Sequence, residues 1–136
     1  MRRPNPTKRA GFVSSAEVLF VLPVLLLIVF ALVELSLLLA AERKLAEVSG
    51  VVARTGSLGG TTEDMEAVMK SAAGEKWKDQ VVLKVAPENP KDRIQGRQLD
   101  VTVTLPARYA GPNLLRSIGI DLTGATLVGR TVIVVE

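Results

Sequence analysis

EVLFVLPVLLLIVFALVELSLLLAAERKL, residues 17–45, decides the fold. Sixteen consecutive residues, Val18 to Val33, lack any polar side chain, and Leu35 to Ala41 continues the run with only Ser36 interrupting it. As a helix, Val18 to Ala41 extends about 36 Å at ~1.5 Å per residue. A hydrocarbon core is ~30 Å thick, so the segment is long enough to cross it with some tilt. Pro23 lacks the N–H that a helix interior uses, an interruption that membrane helices tolerate better than soluble ones. Two acids, Glu17 and Glu34, stand in this stretch. A plain anchor needs neither, because a carboxylate inside hydrocarbon costs ~2.5–3.5 kcal/mol on insertion scales and is usually functional. Glu17 sits at the near edge, where the helix dipole favours an acid. Glu34 falls roughly 25 Å further on, close to the far interface, where it either reaches out to water or meets a partner.

The flanks orient the helix. The chain's formal charge of +3 is unevenly placed. Residues 1–16 carry Arg2, Arg3, Lys8 and Arg9 with no acid, whereas residues 42–136 hold 13 Lys/Arg against 12 Asp/Glu. Positive-inside logic makes residues 1–16 a cytoplasmic leader, 17–41 a transmembrane helix and 42–136 an extracytoplasmic domain, a single pass through the cytoplasmic (inner) membrane. A cleaved signal peptide is the competing reading, with Ala40 and Ala41 as its small residues, but signal cores run ~7–15 residues and this run is longer. Because the basic excess lies in the leader, and aromatic residues are few, the composition gives no support to a nucleic-acid partner.

A short basic leader ending in Gly, then small residues, a Glu and a continuous apolar helix is the layout of type IV pilin-like precursors. The chain resembles more closely the TadE-like family, minor pilins or pseudopilins of tight-adherence (Flp) pilus systems. Ala16–Glu17, Leu22–Pro23, Val33–Glu34 and VARTGSLGG at 52–60 match that family's stations in order, and the resemblance covers about residues 8–60. It implies a pilin-like structural or assembly subunit for adhesion or secretion, with other pilin-like or pilus-assembly subunits as partners. It also implies leader processing by a prepilin peptidase between Gly11 and Phe12, a place in a surface filament, and subunit contacts through the intramembrane carboxylates Glu17 and Glu34. In such proteins the first Glu pairs with a neighbour's processed N-terminal amine, a buried ion pair that sets register more than net stability. One departure is plain: the family's cleavage glycine stands five residues before that Glu, whereas Gly11 and Glu17 are six apart.

The remaining sequence reads as α+β. Leu38, Leu45 and Val52 recur every seven residues with Ala41 and Val48 between them, an amphipathic stripe that continues the helix over 38–55. Gly56, Gly59 and Gly60 end it. TTEDMEAVMKSAAG predicts a short helix capped by Thr62 and stopped at Gly74. Strands are expected at 79–86, 98–106 and 125–135; QLDVTVTLP alternates cleanly, with Leu99, Val101, Val103 and Leu105 on one face. Gly129 is a candidate bulge in the last strand. NLLRSIGI (113–120) is expected to close the core, with a patch for the next subunit as the alternative, and Trp77 to pack in the core or at an edge rather than to anchor at a membrane interface. The expected architecture is a single transmembrane helix extended into a small two-layer domain with a three-stranded antiparallel sheet, the helix supplying the second layer that ~75 residues would otherwise lack.

Catalytic signals are missing. With no histidine and no cysteine, the commonest base, metal ligand and thiolate nucleophile are unavailable. GSLGG lacks the Lys-Ser/Thr of a phosphate loop, and Glu63, Asp64 and Glu66 fall on a first helical turn where the dipole accounts for them. The expectation is a non-enzyme with no cofactor, metal or catalytic residue. A structural assembly subunit leads; a signal-anchored extracytoplasmic binding module outside any filament is the alternative.

Overall fold

In the computed structural model the backbone is described from Thr7 and side chains from Glu17, both to Glu136. Gly11 and Phe12 lie outside the residues whose side chains are described.

One helix, α1 (Thr7–Ser57), carries the apolar run into the domain, 51 residues and about 76 Å without a break. Pro23 lies within it and does not end it. Residues 18–33 are exposed except half-buried Ala31, Phe20 by 76%. Further along, one face is covered: Ala41, Leu45, Val48 and Val52, spaced by four, three and four, are buried. The helix stops at Gly59, whose φ of +87° a side chain would resist. Gly60 N–H then reaches the Thr55 carbonyl (3.0 Å) and Gly59 N–H that of Gly56 (3.2 Å), the paired bonds of a Schellman end. Gly56 contributes only its carbonyl to that end, and a glycine is not needed there for the turn. It is buried inside the helix, facing side-chain atoms of Leu99 and Met65.

The second helix, α2 (Thr62–Ala73), is capped by Thr61 rather than by Thr62 as expected. Thr61 Oγ1 accepts from Asp64 N–H (3.1 Å) while the Asp64 carboxylate accepts from Thr61 N–H (2.9 Å). That reciprocal box is available only one residue earlier, since its acid must stand three residues after the cap. Met65, Met69 and Ala73 face inward from α2.

Three strands form one antiparallel sheet in the order β1 (Val82–Ala86), β2 (Gln98–Pro106), β3 (Thr126–Val134). The central strand matches its expected bounds. The first is shorter than 79–86 because the chain after Gly74 turns on itself: Lys78 N–H bonds Gly74, and Gln80 and Val81 N–H both bond Trp77. Those donors are committed to the turn, so pairing begins at Val82 with Thr104. Leu99, Val101, Val103 and Leu105 are fully buried and meet the covered face of α1, as the alternation requires. Burying each such side chain contributes roughly 1.5–3 kcal/mol.

Gly129 is not a bulge. It pairs with Val103 in unbroken register. What requires glycine there is the helix: a Cβ at 129 would lie 2.3 Å from the carbonyl carbon and oxygen of Leu45. One turn along, Ser49 and Thr131 share a 2.7 Å hydroxyl–hydroxyl bond. The pair fixes how α1 lies across β3.

The Leu114–Ile120 segment does not close the core. It forms a 3₁₀ turn, Leu114–Ile118, in which Leu114 and Leu115 are half-buried while Ile118 and Ile120 are exposed. It packs on α1 below the sheet rather than within the sandwich, so its apolar side chains have no second layer to enter.

Candidate functional site

Glu17 and Glu34 end up in opposite situations. Seventeen positions at ~100° each place them on different sides of the helix. Glu17 is exposed, beside a shallow apolar groove lined by Val18, Val21, Leu22 and Leu25. No side chain of the domain reaches it among its described hydrogen bonds. Glu34 is 2% exposed although the apolar residues around it, Val33 and Leu35, are open. The usual distribution is inverted: the acid is inside and the hydrocarbon outside.

What buries Glu34 is a loop 81 residues away. Its carboxylate accepts a 2.8 Å hydrogen bond from the backbone N–H of Leu115. Local chemistry aims that N–H. Asn113 adopts a left-handed conformation (φ 53°), which short polar side chains tolerate and which turns the chain into the 3₁₀ segment. The Leu115 donor belongs to the first turn of that segment, where N–H groups lack partners of their own. Gly119, at φ +87°, closes the other end.

The loop is braced by Asp121. Its carboxylate accepts from Thr123 Oγ1 (2.6 Å), Thr123 N–H (2.9 Å) and Asn113 Nδ2 (3.2 Å). The Thr123 hydroxyl is the chief reason that the Asp121 carboxyl is held below the ordinary aspartate range, with the Thr123 amide and Asn113 adding to it. Asn113 Oδ1 is buried without a hydrogen-bond partner. On the other side of the loop, Gly111 lies beside Leu37 of α1, and Trp77 Nε1 donates to the Tyr109 carbonyl at 3.1 Å. Trp77 is half-buried and packs against the core margin.

Sequence reasoning picked out both acids but not their surroundings. NLL and DLT are legible as turn makers; nothing in either announces that the turn meets position 34. It also missed Arg93, in the loop between β1 and β2. That guanidinium donates to Gly60 O (3.3 Å), Thr62 Oγ1 (3.1 Å) and Pro87 O (3.4 Å), clamping the α1–α2 turn to the segment after β1. Among the described residues no three His, Cys, Asp or Glu side chains converge in a metal-binding arrangement.

A long N-terminal apolar helix packed on a three-stranded antiparallel sheet is a pilin-like architecture. The helix is long and apolar enough to cross a membrane. Comparison of the chain with protein-family models, with curated proteins and with solved structures finds no match.

Proposed function

We propose that this chain is a membrane-anchored structural subunit, a TadE-like minor pilin or pilus-assembly protein. In this reading residues 18–41 span the cytoplasmic membrane, the leader faces the cytoplasm, and residues 42–136 lie outside. The observation that carries it is the division of labour along α1. The first half offers an unbroken apolar surface with one exposed acid, Glu17, and the second half is the core layer of the folded domain. A helix built this way transmits a lateral contact in the membrane rigidly to the exported domain. The role is structural rather than catalytic, in keeping with a chain without histidine or cysteine.

Within it, Glu17 is the acid left to meet another subunit, whereas Glu34 already has a partner in its own chain. That internal partner also favours a second reading, an anchored binding module outside any filament, because such a module needs no neighbour for its buried acid. Co-purification separates the two. Full-length protein and its Glu17→Leu variant are extracted from native membranes, and abundance and associated pilin-like subunits are compared. The assembly reading expects equal abundance with loss of associated subunits in the variant. Associated subunits retained at equal abundance would remove Glu17 from the contact, and none even with the unaltered protein would favour the anchored module.

A further inference from the structure

Resting on the reading of α1 as a membrane span, we propose that the loop from Tyr109 to Ile120 is a second membrane-contacting element, seated in the interface of the leaflet nearest the domain.

The level of the loop is fixed by Glu34. Its bond to Leu115 N–H ties the 3₁₀ turn to a point seven residues before the apolar run ends at Ala41, about 10 Å back along the helix. Centring a ~30 Å hydrocarbon core on residues 18–41 puts Glu34 about 8 Å inside its edge. Interfacial elements seat their apolar faces to a similar depth, ~5–10 Å. The domain therefore does not stand clear of the membrane on a stalk; its base descends along the span.

The surface at that level has the chemistry of an interface. Ile118 and Ile120 are 44% and 47% exposed, unlike the buried apolar residues of the sheet's inner face. At the same level of α1, Leu35, Leu37 and Leu39 are exposed as well, and Gly111 of the loop lies beside Leu37. The rim carries basic and aromatic groups together with the acid Asp121: Arg116 is exposed, Arg108 lies 4.8 Å from the Tyr109 ring centroid, and the Tyr109 carbonyl holds Trp77 Nε1. Long basic side chains keep their heads at the phosphate level while their stems lie in apolar surroundings, and Tyr and Trp collect at that depth. Glu34 then has a clear use. An acid at that depth would oppose insertion, and the same loop that enters the interface shields it and supplies its donor.

The chain has no cysteine, so single-cysteine variants of the full-length protein can be made without removing any. Ile118→Cys, Ile120→Cys, Val29→Cys in the span and Lys84→Cys on the outer sheet face are spin-labelled. They are reconstituted in phosphatidylcholine–phosphatidylglycerol vesicles at about one copy per vesicle. Collision with oxygen, which concentrates in lipid, is compared with collision with a water-soluble nickel chelate. The proposal expects positions 118 and 120 to behave as position 29 does, favouring oxygen, and position 84 to favour nickel. Nickel access at 118 and 120 equal to that at 84, with position 29 protected, overturns the proposal and leaves the span intact. Nickel access at position 29 overturns the span reading itself. Protection of the loop seen only in crowded vesicles and lost on dilution assigns the patch to a second copy and overturns the lipid contact.

Discussion

Gly129 and Gly56 are both buried under the same helix–sheet contact, yet they differ in what an added methyl group would strike. At 129 it meets the Leu45 backbone at 2.3 Å, which can yield only if α1 moves off the sheet. At 56 it meets the ends of Leu99 and Met65 side chains at 2.7 and 2.9 Å, which can rotate away, and helix propensity favours alanine. Gly129→Ala is therefore expected to destabilise by about 3 kcal/mol or more and Gly56→Ala by no more than about 1 kcal/mol, read from denaturant unfolding of the detergent-solubilised protein. Val101, fully buried on β2, should accept other apolar residues of similar size. Val101→Asp should cost about 2 kcal/mol or more through an unpaired buried charge. For Glu34, Gln preserves an acceptor for Leu115 N–H and Leu does not. Hydrogen exchange of the 111–122 segment should stay slow in Glu34→Gln and quicken in Glu34→Leu, by a loss of about 1 kcal/mol of protection. The inward position of Val101 was readable from alternation alone. The reason for Gly129 was not, because it resides in another element's backbone: the sequence shows a glycine in a strand and is silent about the helix above it.

Caps and cross-strand pairs set how the elements respond to acid. Asp64 is held below the ordinary aspartate range chiefly by the Thr61 hydroxyl and then by the Thr61 backbone N–H. Asp100 is held low by Arg130, whose Nε lies 3.0 Å from both carboxylate oxygens across the β2–β3 pair. Asp121 in the loop is low for the reasons given above. A carboxyl with a depressed folded pKa adds stability above its unfolded value, 3.8 here, and loses it as pH falls through the folded value. All three shifts have that sign. The thermal midpoint should be flat from neutral pH to about 5 and decline below about 4, with a shallower decline in Asp64→Asn and Asp121→Asn. Independently, Thr61→Ala should cost about 1 kcal/mol as a lost cap, and Thr62→Ala less. Element identity was legible because each carries its own period and its own stop. Boundaries were less so where two candidates adjoin: Thr61 and Thr62 look alike until the acid three residues on is counted. The early part of 79–86 lost its strand to a turn whose donors go to Gly74 and Trp77.

At the scale of the whole molecule, one helix is divided into an exposed apolar half and a half that is buried on one face. In the proposed reading its first half lies in the membrane, which suits a contiguous exposed surface of Val, Leu, Ile and Phe of that length. Its second half is the layer on which a short chain builds a core. The domain cannot be separated from that half without losing Leu45, Val48 and Val52. This division was legible from hydropathy and the seven-residue stripe, whereas the descent of the loop onto Glu34 was not, since it depends on a contact between residues 81 apart in sequence. The central claim is that the span delivers the folded domain to the far side of the cytoplasmic membrane, as the basic excess before residue 17 directs. Fusion of an export-dependent reporter after Glu136 of the full-length chain tests this directly. Reporter activity outside the cytoplasm is the expected result; an active cytoplasmic reporter at that position would contradict the account.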